Sequence, residues 1–445
     1  MTNEPGEELK RVVGIPAFAA TIINNTVGVG IYALPALVSL QLGEAGITGY
    51  LLCGIVFASI MLCYMEIGSR IKTSGGSYAY VESAFGPFAG FIVNWIFFFG
   101  YGVLSSAAVL NIVAGSVSAL FPVFASPLMR ILLMLVLISL IIYVNIRSAR
   151  LSVLMVGFIT FIKLLPLIGI IIFGIWKVIP SNLHWTHLPS LQSYGDAALT
   201  LFFAFAGFET SMCISGEIKN PRRTVPIGIS IGFGSVLILY VLIHSIAQGI
   251  LGNELSGFKD APLAEVANRI AGATGAVILL IAAIVSGFGN TCGDVLASPR
   301  VLFAGARDGL FPKFLGKVHP RFSTPHWAVI TYAGLIFIIA ASGGFKQLAI
   351  LASAALLLIY LAVVLAVIKF RMKPEETMEK SFRIPGGLVI PFIAVIAICW
   401  LLSYLSKQEI TAMLIFIAVV CIIYLFMKIG KVKSSGQQKS SMPVN

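Results

Sequence analysis

The sequence predicts an all-α membrane protein with about twelve transmembrane helices. Three observations predict this class: 58% of the 445 residues are hydrophobic, only 11% are charged, and the mean hydropathy is +0.98. A soluble domain is about one quarter charged, whereas a bilayer span needs roughly 20 largely apolar residues. We therefore expect the lipid bilayer to surround most of this chain.

Apolar segments alternate with short, mostly basic loops along the chain. We place the spans near residues 13–38, 43–68, 86–120, 127–145, 151–178, 195–217, 226–250, 272–303, 325–341, 346–370, 384–405 and 408–428. No connecting segment is long enough for a separate soluble domain, so residues 1–430 are predicted to form one polytopic membrane domain. The Ser-, Gln- and Lys-rich residues 431–445 are predicted to form a disordered tail.

The basic residues are distributed unevenly between the two sides of the predicted membrane domain. The chain has 30 Lys and Arg against 18 Asp and Glu, a formal net charge of +12. If the N-terminus is cytoplasmic, the outer loops hold only Arg130, Lys177, Lys259, Arg269, Lys346 and Lys407. Positive charge is retained on the cytoplasmic side during insertion. We therefore expect a multi-pass inner-membrane protein with both termini in the cytoplasm, and we expect the basic excess to contact lipid, not nucleic acid.

Two spans are interrupted by glycine. The first contains NNTVGVGIYALP with Gly28 and Gly30, and the sixth contains FFAFAGFET with Gly207. Glycine destabilises a helix, and glycine-interrupted spans at corresponding positions of two halves indicate the site of a secondary transporter built from inverted repeats. Ten core spans divide as five plus five, with two additional helices, so these are the first helix of each half. The alternative is close helix packing through small residues.

Two charged residues fall deep inside predicted spans. Glu209 lies two residues after Gly207, and Lys163 lies in ITFIKLLPL, too far from either end of its span to reach water comfortably. Each needs a partner, because an unpaired charge in the membrane is costly. For Glu209 the alternatives are proton binding or holding the helix break open. For Lys163 they are proton exchange at the place of a sodium ion or a permanent strut between helices.

Asp294 is an acid in the inner half of the eighth span, within SGFGNTCGDVLASPRV. Acids inside membranes are candidates for a functional site. This carboxylate either faces a cationic group of the substrate or pairs internally with Lys163 or Arg300. Glu66, in contrast, lies near Arg70 and is interpreted as an ordinary ion pair at a helix end.

The sequence contains no signature of an enzyme, metal site or cofactor. His184 and His187 form HxxH in an outer loop without further ligands, so we predict no metal. The six cysteines all lie in apolar spans, where we expect small core residues. The chain has no GxxxxGK[ST] loop for nucleotide phosphates. We expect no cofactor and no catalytic residue.

Several motifs resemble the amino acid-polyamine-organocation superfamily of permeases, from about residue 12 to about residue 430. GVGIYALP is similar to the family's unwound first span. FFAFAGFET with EIKNPRRTVP resembles its sixth span and following loop, and VLFAGARDGLFPKFLGKVHPRFSTP resembles the loop after its eighth span. The resemblance implies a leucine-transporter-type fold, a 5+5 inverted repeat with discontinuous first and sixth helices plus two additional helices.

The resemblance also implies a substrate site. Its candidate residues are Thr26, Gly28, Val29, Gly30, Tyr101, Ser105, Phe203, Ala206, Gly207 and Asp294. Backbone around Thr26 and Gly28 to Gly30 would hold the amino and carboxylate ends of the substrate, helped by carbonyls near Phe203 and Ala206. Phe203 would also be an aromatic lid. Lys163 matches the lysine of proton-coupled and sodium-independent members, and Glu209 matches the family's sixth-span glutamate. Both are candidates for proton coupling or gating. Asp294 departs from the aromatic residue of several members, so stacking on the substrate side chain is not implied.

We expect a secondary active transporter of a small amino acid or organic cation, coupled to protons or exchanging, and independent of sodium. The alternatives are a polyamine or cationic amino acid antiporter and a receptor that binds an amino acid without moving it.

Overall fold

The computed structural model describes residues 11–71, 75–147, 149–185, 187–259, 261–307, 311–372 and 382–440. Within these ranges the regular structure is helical and no strand is present, apart from an isolated bridge between Val13 and Ile218. The predicted all-α class is confirmed for this part of the chain.

We number the α-helices in chain order. They are α1 (Ile15–Thr26), α2 (Gly30–Leu42), α3 (Gly46–Arg70), α4 (Ser77–Phe85), α5 (Pro87–Trp95), α6 (Leu104–Leu120), α7 (Pro127–Arg147), α8 (Ala149–Gly174), α9 (Leu191–Phe205), α10 (Phe208–Ser211), α11 (Pro221–Leu251), α12 (Pro262–Ala297), α13 (Pro299–Arg307), α14 (His326–Ser342), α15 (Phe345–Arg371), α16 (Val389–Leu402) and α17 (Lys407–Ser440). A π-helical segment, Ile96–Val103, joins α5 to α6. Helix α17 overlaps the 431–445 segment, whose disorder stays a prediction.

Seven helical stretches of the described chain are long and apolar enough to cross a membrane. They are Gly30–Arg70, Pro87–Leu120, Pro127–Arg147, Pro221–Gly257, Pro262–Arg307, Phe345–Arg371 and Lys407–Leu425. Helices α14 and α16 are apolar but shorter. Helix α7 has an exposed apolar stripe at four-residue spacing, formed by Leu128, Leu132, Val136 and Leu140. Such a stripe is suited to contact with lipid, since four-residue spacing keeps side chains on one face of a helix.

The two halves of each interrupted span lie at the centre of the bundle. Helix α1 packs against α10 and α11, α2 packs against α9, and α12 packs against α6 and α8. The buried ring of Phe57 on α3 contacts the rings of Phe202, Phe205, Phe208 and Tyr360. This aromatic core holds α9 and α10 between α3 and α15, on both sides of the break that separates them.

Glu66 forms a buried junction at the end of α3. Its side chain accepts hydrogen bonds from Arg70 at 2.7 Å, from the Arg371 guanidinium, and from the Ile384 amide at 3.0 Å. The interpretation of Glu66 as an ordinary helix-end ion pair was therefore incomplete. The carboxylate is fully buried and ties α3 to the end of α15 and to the segment that precedes α16.

The six cysteine thiols are all free, and they are not all core residues. Cys53, Cys63 and Cys292 are buried as expected, whereas Cys213 and Cys421 are half-buried and Cys399 is exposed. The core interpretation was wrong for Cys399, because a position inside an apolar span does not specify whether the helix face points inward or to lipid.

Candidate functional site

The first helix break lies between α1 and α2, at Val27–Val29. The Gly28 amide bonds the Thr26 carbonyl at 2.8 Å, in place of the Asn24 carbonyl that helical geometry would provide. A Cβ atom at Gly28 would meet nothing closer than the Asn290 amide nitrogen at 3.9 Å. The interruption that the glycines predict is present, and the backbone at Gly28 borders open space.

The second break lies between α9 and α10, at Ala206 and Gly207. Gly207 has φ +118°, which side-chain-bearing residues rarely adopt, and a Cβ atom there would collide with the Asn25 carbonyl oxygen. Glycine is therefore required twice, by its own conformation and by the close approach of α1. The two breaks meet at this contact.

Glu209 stabilises the second break through its carboxylate, which contacts the Gly207 amide. Its carboxylate oxygens lie 2.9 and 3.0 Å from the Gly207 amide nitrogen, and one accepts a 2.8 Å hydrogen bond from Tyr360. The side chain is 1% exposed. This geometry fits the expectation that Glu209 holds the broken helix open, because its carboxylate satisfies an amide that the break leaves without a helical partner.

Tyr240 on α11 joins the two breaks, and sequence reasoning missed it. Its hydroxyl lies 3.0 Å from the carbonyl oxygens of both Thr26 and Ala204, one beside each break. The ring is fully buried. A tyrosine in an apolar helix carries no local signal for this role, since its partners lie far away in the sequence.

Lys163 on α8 contacts the end of α1. Its ammonium donates a 2.6 Å hydrogen bond to the Asn24 carbonyl, and the Lys163 carbonyl accepts a 2.9 Å hydrogen bond from Tyr32 on α2. The sequence left open whether the partner of Lys163 is an acid or a carbonyl, and the structure shows a carbonyl. The residue spans both halves of the interrupted first helix.

A cavity of about 520 Å³ lies between the breaks and the helices α6, α8 and α12. Eleven of the twelve predicted site residues line it: Thr26, Gly28, Val29, Gly30, Tyr101, Ser105, Lys163, Phe203, Ala206, Gly207 and Asp294. Glu209 is the exception, since it lies behind Gly207 and not in the wall. Phe203 covers the first break, with its ring 3.3 Å from the position of a Cβ atom at Gly30.

Several lining residues were missed by the sequence analysis. They include Asn24, Asn25, Ser106, Thr210, Cys213, Ser286, Asn290 and Ser298. Ser286, Asn290 and Asp294 recur at four-residue spacing on α12, which places them on one helix face. That period was visible in the sequence, but nothing local distinguished a cavity face from a packing face.

Asp294 is held by hydroxyl groups. Ser298 donates to one oxygen at 2.6 Å, and Ser106 and Tyr332 donate to the other at 2.8 and 3.0 Å. Among the described residues no ion pair of Asp294 is present, and Lys163 bonds the Asn24 carbonyl instead. The expected alternative of an internal pair with Lys163 or Arg300 is therefore not seen in this part of the chain.

The π-helical segment Ile96–Val103 shapes the wall opposite α12. The Tyr332 hydroxyl lies 3.1 Å from the Phe98 carbonyl as well as near Asp294. A π-helical turn leaves carbonyls out of the usual α-helical register, and such turns are frequent at functional sites. Tyr101 and Ser105 reach the cavity from this segment and from the start of α6.

No group of three or more His, Cys, Asp or Glu side chains suited to a metal ion occurs within the described residues. His184 and His187 stay in the loop before α9, outside the cavity lining.

An apolar helical bundle with a polar cavity between two broken helices defines a multi-pass membrane transport protein. The sequence model of the amino acid permease family matches residues 14–428, and this chain belongs to that family. The predicted family and the predicted class of activity, amino acid transport, are confirmed.

Three relatives illustrate the range of the family. The serine/threonine exchanger SteT of Bacillus subtilis (strain 168) is 28% identical over 410 residues, which cover 91% of this chain and 92% of the relative. The cystine/glutamate transporter of Homo sapiens is 29% identical over 408 residues, covering 87% and 79%. The vacuolar cationic amino acid transporter 4 of Arabidopsis thaliana is 26% identical over 403 residues, covering 85% and 66%.

Proposed function

We propose that this protein is a secondary active transporter that moves an amino acid by proton symport or by exchange, without sodium. The observation that carries the proposal is the meeting of two helix breaks at one polar cavity. Lys163, Glu209 and Tyr240 already contact some of the backbone groups released at the breaks. The other released amides and carbonyls would be partners for a carboxylate and an ammonium, the two groups that every amino acid shares. Thr26, Gly28, Val29 and Gly30 would hold these groups from one side, with Phe203, Ala206 and Gly207 on the other.

Lys163 supports independence from sodium. Its ammonium places a positive charge against the Asn24 carbonyl, where a bound cation would otherwise satisfy the freed oxygen. A neutral lysine would still contact this carbonyl, but more weakly, so loss and gain of a proton would loosen and tighten the end of α1. Lys163 is therefore proposed as the coupling residue, with Glu209 as the residue that keeps the second break open.

The proposed architecture is that of about twelve spans in one domain, residues 1–430, followed by a disordered cytoplasmic tail, residues 431–445. Ten spans would form a 5+5 inverted repeat of the leucine-transporter type, with the breaks at Gly28 and Gly207 as equivalent positions, and two helices would be additional. The excess of Lys and Arg in alternate loops supports an inner-membrane location with both termini in the cytoplasm.

Counterflow in proteoliposomes tests the proposal. Purified protein reconstituted with an unlabelled amino acid inside should accumulate the labelled form from outside, both in sodium buffer and in N-methylglucamine buffer. A thermal-shift screen of the proteinogenic amino acids selects the ligand, because a ligand that binds only the folded state raises Tm. Binding without counterflow would instead support a receptor, and counterflow that requires sodium would contradict the assignment of Lys163.

A further inference from the structure

The charged groups in the cavity wall are unequally satisfied. Of the described residues that line the cavity, Lys163 and Asp294 are the charged ones. The Lys163 ammonium bonds the Asn24 carbonyl at 2.6 Å. Within the described part of the chain, the hydrogen-bond partners of Asp294 are the neutral hydroxyls of Ser106, Ser298 and Tyr332. An acid in a membrane cavity without a cationic partner is costly, so a ligand that brings a positive charge would be stabilised there.

The Asp294 carboxylate is oriented and still has capacity for another donor. Ser298 and Ser106 hold one oxygen each, and Tyr332 contacts the same oxygen as Ser106. A carboxylate offers about four acceptor positions, so about one position remains, on the oxygen that Ser298 contacts. Contacts from α6, from α14 and from Ser298 at the C-cap of α12 fix the group in the wall, as a specificity site requires.

The positions of Asn290 and Asp294 on α12 favour a substrate with a long side chain. Asn290 lies beside the first break, since its amide nitrogen is 3.9 Å from the position of a Cβ atom at Gly28. Asp294 follows one turn later on α12, about 6 Å along the helix axis. A substrate whose amino and carboxylate ends lie at the breaks would need a stem of about four carbons to reach Asp294, which is the length of the lysine side chain.

From this arrangement we propose that Asp294 binds a cationic group at the end of the substrate side chain, so that the transported amino acid is a basic one of the lysine and ornithine type. The inference rests on the proposed function, because it uses the same cavity, and it adds the class of side chain. The ammonium would lie against the free position of the carboxylate, while Ser106, Ser298 and Tyr332 orient the acid. Asp294 is then the specificity-determining residue of the cavity.

Lysine and norleucine test the proposal on the unmodified protein, because they differ in the terminal ammonium and share the same linear carbon stem. Each is added unlabelled outside the proteoliposomes, and the concentration that inhibits counterflow of the labelled amino acid is measured. We expect lysine to compete at a concentration at least about tenfold lower than norleucine, as charge-assisted hydrogen bonds are stronger than neutral contacts. Equal competition, or better competition by norleucine, would overturn the proposal and would leave a proton as the partner of Asp294.

Asp294→Asn keeps the shape of the side chain and removes its charge. For this variant we expect the concentration of lysine needed to inhibit counterflow to rise about tenfold, while that of norleucine changes by less than about twofold. Glu254→Gln, an exposed acid outside the cavity, is the matched control and should behave as the wild type. A variant at Asp294 that keeps the wild-type preference for lysine would contradict the assignment.

Ser106→Ala provides a second variant if Asp294→Asn does not fold. It leaves the charge and removes one of the hydroxyls that orient it, so lysine competition should weaken a few-fold and norleucine competition should not change. Equal effects on the two ligands would count against the proposal. If the wild type shows no counterflow of any amino acid, the proposed function itself fails; counterflow restricted to neutral amino acids overturns only the role of Asp294.

Discussion

The ammonium of Lys163 occupies the place of a missing helical hydrogen bond at the Asn24 carbonyl. In a continuous helix this carbonyl would accept from the Gly28 amide, but that amide bonds Thr26 instead. The 2.6 Å contact with Lys163 therefore replaces a backbone donor with a side-chain donor from α8. The break in the first helix is therefore completed by a lysine from a span that is far away in the sequence.

Removal of this ammonium should impair transport more than folding. Lys163→Ala leaves the Asn24 carbonyl without its donor, which costs about 1–3 kcal/mol at a buried site. The variant should reduce initial uptake in proteoliposomes at least tenfold, a change that corresponds to about 1.4 kcal/mol. Lys346→Ala, an exposed lysine at the start of α15, is the control and should transport normally. Normal uptake by the Lys163 variant would show that the contact is dispensable.

Gly28 should tolerate a small side chain but not a large one. A Cβ atom there meets the Asn290 amide at 3.9 Å and the Thr26 carbonyl at 4.0 Å, both ordinary van der Waals contacts, so Gly28→Ala should retain binding and uptake within a few-fold. Gly28→Leu should insert and fold but lose uptake, because the longer side chain extends into the cavity beside the break. Uptake and detergent-extracted yield are measured for both variants. Equal uptake by the two would place the substrate elsewhere.

Gly207 should tolerate no side chain at all. Gly207→Ala forces a Cβ atom into a φ of +118° and against the Asn25 carbonyl, so its cost exceeds the strain of about 1–3 kcal/mol expected for the backbone alone. We expect a lower Tm and no uptake. Gly234→Ala on α11, where a Cβ atom meets nothing within 4 Å, is the matched control and should keep both. A Gly207 variant with wild-type Tm would argue against the close approach of α1 and α10.

Tyr240 should couple the two breaks through its hydroxyl alone. Tyr240→Phe retains the buried ring and removes the group that lies 3.0 Å from both the Thr26 and Ala204 carbonyls. We expect a loss of about 0.5–1.5 kcal/mol in unfolding free energy and a several-fold slower uptake, since a net hydrogen bond contributes about that amount. Tyr143→Phe on α7 removes an exposed hydroxyl that accepts a hydrogen bond from Arg147, and it should change both by little because water can replace that contact. Unaltered uptake by Tyr240→Phe would make the bridge incidental.

The sequence by itself determined the features that follow from local chemistry. The apolar composition specifies helices in a bilayer, because a backbone in lipid must satisfy its hydrogen bonds within the segment. Gly28 and Gly207 mark helix breaks, since glycine destabilises a helix. Lys163 and Asp294 are detectable as charges in apolar runs, whose cost in lipid predicts a role before any partner is known.

Only the tertiary structure decided which partners these residues meet. Tyr240 and Asn290 look like ordinary residues of their helices, and their importance arises from contacts with segments far away in the chain. The sequence left open whether Lys163 meets an acid or a carbonyl and whether Asp294 has an internal cation, because helix patterning specifies an inward face and not the residue opposite it. The placement of α8 beside the break between α1 and α2, and of α6 against α12, determines those choices through contacts that no local pattern encodes.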